Sequence, residues 1–239
     1  NIGIDASFFN GKLNLEADWF YKKTNDILRE RTDMPAILGY KLPAANVGKV
    51  DNRGIDLNIT HRNHLRDFNY SIAGNLTWAR NKVIDLLEPA GEKNNPRQRS
   101  TGHSMSQYFG YEALGLFQSD EEANNWPQPQ FGKAKAGDIK YKDQNGDGII
   151  DAEDEIAIGR SNYPELVYGL NLNAEWKGFD ITFFFQGAAL ADFYYNGYLA
   201  FPYIEGRGGA LLEHHIGNTW TPENPKAEFP RLYYGGNAN

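Results

Sequence analysis

Twelve residues, Asp143 to Asp154, carry the sharpest chemistry in the sequence: DQNGDGIIDAED. Asp143, Asn145 and Asp147 fall at positions 1, 3 and 5 of a calcium loop, with Gly148 at the sharp turn and the Ile149 carbonyl next in line. Asp151 and Asp154 complete the set at positions 9 and 12. A hard cation needs several oxygens converging from one short loop, and this order supplies them. Asp154 stands where Glu is usual, so its reach for bidentate coordination is shorter. An Asp/Asn/Gly-rich turn without metal is the alternative, and a bound Ca²⁺ would in any case pin the loop and perform no chemistry.

Catalysis finds no comparable support. No pair of carboxylates stands out for general acid/base work, and neither a G-x-S-x-G elbow nor a P-loop is present. Adjacent His214 and His215 would point opposite ways on a strand and read as surface loop, and GRGG at 206–209 reads as flexible loop. The aromatic run FYYNGYLAFPY at 193–203 could stack on sugar rings or pack loops together. No catalytic and no cofactor-binding residue is singled out, and the chain is not expected to be an enzyme.

Composition points to β structure. The 239 residues include 14 Tyr, 14 Phe, 5 Trp and 25 Gly, which suit strands and turns. A net charge of −7 argues against a nucleic-acid partner, because phosphate binding needs clustered Lys and Arg. No apolar run is long enough for a transmembrane helix, which leaves a barrel open, and a mean hydropathy of −0.62 is compatible with one. The absence of Cys removes disulfides and thiolate metal sites.

The elements that would carry the 143–154 loop are strands, read from period-2 alternation. In KLNLEADWFYKK, Leu13, Leu15, Ala17, Trp19 and Tyr21 oppose Asn14, Glu16, Asp18 and Lys22. The same split recurs with Ile55, Leu57 and Ile59, with Tyr70, Ile72, Leu76 and Trp78, with Tyr168, Leu170, Leu172 and Trp176, and with Phe179, Ile181, Phe183 and Phe185. Strands are expected at about 2–9, 12–22, 50–62, 69–82, 164–176 and 179–188. Asn10-Gly11, the polar residues around Arg66 and Asp67, and Lys177-Gly178 would join them in pairs by tight turns. Long excursions fill 23–49, 83–163 and 189–239.

Short turns at one rim and long loops at the other is the asymmetry of outer-membrane barrels, with the long loops extracellular. Trp19, Tyr21, Trp78 and Trp176 sit near strand ends, where interfacial aromatics belong. Strand parity assigns 104–118 to an excursion, paired with 137–143, because one extra strand would move the Lys177-Gly178 turn to the wrong rim. Six strands cannot close a barrel, since known ones begin at about eight. Together with the absence of an initiating Met, this predicts a fragment: residues 1–239 as one partial, all-β domain, a segment of a large antiparallel transmembrane β-barrel.

Three stretches resemble the SusC/RagA-like TonB-dependent outer-membrane transporters. NVGKVDNRGIDLNI at 46–59 is similar to a characteristic strand entry of that family. GDIKYKDQNGDGIIDAEDEIAIGRSNYPELVYGLNLNAEWKGFDITFFFQG at 137–187 resembles its late barrel, and NTWTPENPKAEFPRL at 218–232 the loop before its final strands. The resemblance covers nearly the whole chain in order. It implies a plugged barrel of about 22 strands in the cell outer membrane of a Gram-negative, Bacteroidetes-like bacterium. The implied partners are a SusD-like surface lipoprotein, oligosaccharide or peptide cargo, the lipid bilayer, and TonB acting through a plug that this chain lacks. The chain alone would then hold wall and loops without transporting. A secreted, calcium-stabilised carbohydrate-binding β-sandwich is the alternative, since alternation alone does not separate it from a barrel.

Overall fold

The structure, a computed structural model, describes residues 1–30, 43–88, 100–195, 200 and 211–232. They divide between two compact units: residues 1–90, 100–107 and 159–192 in the first, and 91–99, 108–158 and 193–239 in the second.

The first unit is a six-stranded antiparallel meander in chain order. Its strands are β1 (Ile2–Phe8), β2 (Leu13–Arg29), β3 (Ala45–Leu65), β4 (Phe68–Asp85), β5 (Leu166–Trp176) and β6 (Phe179–Ala189). The tight turns rest on left-handed backbone. Asn10 and Gly11 at φ 56° and 81° make the first, closed by Lys12 N–H donating to the Phe9 carbonyl at 3.4 Å. Lys177 and Gly178 at φ 50° and 85° make the third in the same way, and Arg66 takes φ 55° in the second. Because successive strands reverse direction, all three lie at one end of the sheet.

Strand ends differ from the sequence reading, and each difference has a cause. Phe9 lies at φ 52°, so β1 stops at Phe8. Much of the expected 23–49 excursion is strand: β2 runs on to Arg29 and β3 starts at Ala45, paired through two register shifts, with Asp26 left-handed at φ 58°. The ladder continues there while the alternation fades, because backbone pairing does not require one face to be apolar. β4 likewise reaches Asp85, into the expected 83–163 excursion. Among the described residues the sheet is open: β1 pairs only with β2, and β6 only with β5.

Short elements build the second unit. Ala113–Leu116 pairs with Ile139–Tyr141, Tyr108–Gly110 with Ile156–Ile158, and Gln128–Pro129 runs parallel to Ile149–Ile150. The 104–118 stretch therefore contributes two short strands here and none to the large sheet. Helix α1 (Asp120–Asn124) is N-capped by Ser119, whose Oγ accepts the Glu122 amide at 3.1 Å. It buries Ala123 against Phe117 and Ala134, with Trp126 at the margin. Trp126 donates through Nε1 to the Tyr141 carbonyl at 2.8 Å, and the Lys140 ammonium lies 4.0 Å above its ring.

Two stretches that the sequence kept apart are packed together in this unit. Arg231 donates to both oxygens of buried Asp138, at 2.7 and 3.2 Å, and its amide donates to the Gly137 carbonyl at 2.9 Å. Gly137, at φ 83°, carries the Trp220 ring where a β-carbon would stand. Gly137→Val should therefore destabilise the second unit by about 2–3 kcal/mol through strain and displaced packing. Hydrogen exchange should speed up across 113–141 while β1–β4 stay protected.

Candidate functional site

Cross-strand register sorts the large sheet into two chemically opposite faces. Successive rows on the first face are Ile2–Trp19–Ile55–Trp78–Leu166–Ala189, Ile4–Ala17–Leu57–Leu76–Tyr168–Gly187, Ala6–Leu15–Ile59–Gly74–Leu170–Phe185, and Phe8–Leu13–His61–Ile72–Leu172–Phe183. The four strands nearest the tight turns add Asn63–Tyr70–Ala174–Ile181 and Leu65–Phe68–Trp176–Phe179. Only His61 and Asn63 interrupt this field. A β-carbon on Gly187 would run into the Tyr168 ring, so glycine lets the ring lie flat across β6.

These apolar side chains are out in the open: Ile2 is 69% exposed, Ile181 52% and Phe179 77%. From Phe68 to Trp78, β4 advances ten residue steps, about 33 Å at about 3.3 Å per residue. A barrel tilt of about 40° projects that to about 25 Å, the height of an outer-membrane barrel's apolar band. Aromatics border it at both ends, Phe68, Trp176 and Phe179 at one and Trp19 and Trp78 at the other.

The second face is polar. Thr182 donates to Asn173 at 2.8 Å, and Asn173 donates to Ser71 at 3.1 Å, a chain running across β6, β5 and β4. Asn69 donates to Glu175 at 3.3 Å and Ser7 to Asn14 at 2.9 Å. Asp5 stands opposite Glu16, and Asp18 opposite Asp56. Like charges facing each other need high-dielectric surroundings, so this face is built for water. The one-letter sequence shows these carboxylates but not their opposition, which only the register reveals.

The 143–154 loop lies in the second unit and closes on its own hydrogen bonds. Asp143 accepts the amides of Gly146 at 2.6 Å and Gly148 at 2.9 Å, with Gly146 and Gly148 at φ 78° and 87°. Asn145 accepts the Asp147 amide at 3.0 Å, Asp147 the Ile149 amide at 2.8 Å, and Asp151 the Glu153 amide at 2.8 Å. Asp154, fully buried, accepts from the Gln144 and Asp151 amides at 2.7 and 2.9 Å. Asn145, Asp147 and Ile149 are exposed. Among the described residues no three His, Cys, Asp or Glu side chains gather round a common point.

The remaining candidates are placed as follows. His214 is exposed, but His215 is buried in a short 3₁₀ turn with Phe229 edge-on at 4.7 Å, which corrects the surface reading of that residue. In 193–203 only Phe193, Tyr194, Tyr195 and Ala200 are described, and Tyr194 stacks on Tyr108 at 5.4 Å. The 206–209 run lies outside the described residues.

Comparison with known proteins agrees with this geometry. Residues 1–186 match the family model "TonB dependent receptor-like, beta-barrel". The chain belongs to that family. It is 33% identical to TonB-dependent receptor P26 of Formosa agariphila over 97% of this chain and 24% of that protein. Against TonB-dependent receptor SusC of Bacteroides thetaiotaomicron the identity is 24%, over 84% of this chain and 20% of SusC. A solved structure of the RagAB peptide importer in its open-open state superposes with a TM-score of 0.73 at 21% identity, over 99% of this chain and 25% of that one. The chain thus spans about a quarter of the length of the relatives it matches. The family comprises outer-membrane receptors and is not one of enzymes.

Backbone donation from Gly148 and Gly146 holds the Asp143 carboxyl below its usual range. A depressed carboxylate contributes stability above its unfolded value and loses it as pH falls through the lower folded value. The loop should stay closed at pH 5 and open only well below the ordinary carboxylate range, a transition that Asp143→Asn should abolish. Asp154→Ala, which orphans two buried amides, should cost about 2–4 kcal/mol locally. Hydrogen exchange at Gln144 and Asp151 reads the change.

Proposed function

We propose that this chain forms six strands of the wall of a TonB-dependent outer-membrane importer, and that the rest of the barrel and a plug come from the full-length receptor containing it. The observation that carries this reading is the exposed apolar band, about 25 Å tall and bordered by aromatics, backed by a water-suited face. In the importer the band meets lipid and the polar face lines the lumen. The tight turns then face the periplasm, and the long connections face outward. A carbohydrate-binding sandwich would bury the apolar face against a second sheet, so the exposure disfavours it. The named relatives support a Bacteroidetes-like cell and the RagAB importer a peptide cargo, while the resemblance to SusC/RagA-like transporters adds a SusD-like lipoprotein above the barrel and oligosaccharide as the alternative cargo. On this reading the chain contributes wall and loops, and TonB acts through the plug.

Calcium at 143–154 belongs to the same proposal as a structural ion. Residue order, positive-φ Gly146 and Gly148, and the exposure of Asn145 and Asp147 support it. The backbone hydrogen bonds, which already occupy one lone pair on most of these oxygens, give the loop a way to stand without an ion. Calorimetric titration of Ca²⁺ into the full-length receptor should give saturable heat that Asp147→Ala removes, and a flat titration would eliminate the ion.

The wall assignment is tested by placing one charge on either face. Ile59→Arg, near the middle of the apolar band, should destabilise the barrel by about 2–4 kcal/mol, whereas Thr60→Arg on the polar face should be near neutral. Denaturant titration of the reconstituted receptor, with heat-modifiable gel migration as the folding assay, reads the difference. Equal effects at both positions would sink the assignment.

A further inference from the structure

On the outward face, the apolar band gives way to charge one row beyond Trp19–Ile55–Trp78. The next row is Tyr21–Arg53–Arg80, and the one after it Lys23–Asp51–Lys82. The ladders run through these rows without a register shift, so the six side chains share the face of the band. Arg53 and Arg80 stand directly opposite each other, with β-carbons about 5 Å apart. Two like charges at that separation destabilise the pairing unless an anion lies between them.

The protein's own anions supply little of that charge. Glu165 reaches Arg80 at 3.2 Å but is shared with Arg160 at 3.3 Å. Asp51 accepts the Tyr21 hydroxyl. Arg53 and Lys82 carry no ion pair among the described residues. Residues 100–107 wall in the same place: Val83 donates to the His103 carbonyl, and Gly102 to the Val83 carbonyl, both at 2.8 Å. The result is a polar cleft of about 420 Å³ whose lining includes Tyr21, Asp51, Arg53, Arg80, Lys82 and His103, three full positive charges against the one carboxylate of Asp51.

We propose that this cleft binds the phosphate of an outer-leaflet lipid headgroup, an inference that rests on the membrane-wall reading above. Two guanidinium forks can hold a tetrahedral phosphate through parallel charge-assisted hydrogen bonds, and Lys82 adds a third positive charge. Free phosphate would satisfy the same donors. A lipid gains more, because its acyl chains continue down the apolar rows below Trp19 and Trp78 while its headgroup stays at the aromatic border. The cleft would thus fix the height of the wall in the bilayer and anchor β2, β3 and β4 to the outer leaflet.

The test uses the full-length receptor in phosphate-free maltoside micelles containing an acylated glucosamine disaccharide, either monophosphorylated or dephosphorylated, with bound lipid counted by native mass spectrometry. The receptor should retain the phosphorylated form over the other by about tenfold or more. Removing each basic residue should cost about fivefold, so Arg53→Gln with Lys82→Gln should lower retention about 25-fold, and Arg53→Gln alone about fivefold. Lys12→Gln, at the opposite end of the sheet, should change nothing. Millimolar inorganic phosphate should fail to displace the lipid, and displacement would show a free-anion site and overturn the proposal. Equal retention of both lipids, or retention unchanged in the variants, would overturn it too. Heat-modifiable migration separates the two readings: a receptor that migrates as a barrel but lacks the preference defeats the lipid site alone, and one that does not migrate so defeats the wall reading with it.

Discussion

A strand that crosses hydrocarbon has no water to turn to, so every backbone N–H and C=O in the band must be paired within the sheet. The ladder from β1 to β6 meets that condition internally, with continuous register from Phe8 to Ile2 on β1 and across the whole of β5 and β6. The irregularities in the sheet, at Thr24, Ile27 and Lys49, lie beyond the Trp19–Ile55–Trp78 border, where water can take up freed groups. Among the described residues, no further strand pairs with the two outer edges, β1 and β6. On the proposed reading these are joints to neighbouring wall strands, because an edge left open in lipid costs several kcal/mol per unsatisfied group.

The same constraint sorts side chains. Once the backbone is paired, energy depends on which face meets which solvent, and a period of two settles the matter for all six strands at once. Apolar side chains that would be buried in a soluble protein stay exposed, while carboxylates that would repel in a dry core oppose each other on the watered face. The second unit obeys ordinary soluble rules instead. It buries Phe117, Ala123 and Ala134, and it satisfies Asp138 with Arg231 and Asp154 with backbone amides.

How far the fold is legible in the one-letter sequence depends on where the two faces of a strand differ in polarity. The alternation of Leu13 to Tyr21, or of Tyr70 to Trp78, gives each strand one apolar and one polar face, so those strands and the Lys177-Gly178 turn are plain in the sequence. Lys23–Arg29 carries no such alternation, so the continuation of β2 there and of β3 over 45–49 is not legible in the sequence. Cross-strand neighbours were invisible too: that Arg53 faces Arg80, or that Trp220 covers Gly137, follows from register and long-range packing. Spacing picks out the oxygen donors of the 143–154 loop, but not the burial of Asp154 or its use as an amide acceptor, because spacing alone does not say which oxygens turn inward.

The central claim is that one face of this sheet meets lipid. Nitroxide labels placed singly along β4 from Phe68 to Trp78, in an otherwise cysteine-free full-length receptor in bilayers, test it most directly. Collision rates with oxygen and with a water-soluble nickel chelate should alternate out of phase. Positions 68, 70, 72, 74, 76 and 78 should favour oxygen, and those between should favour the chelate. Flat profiles, or chelate access at both sets of positions, would contradict the account.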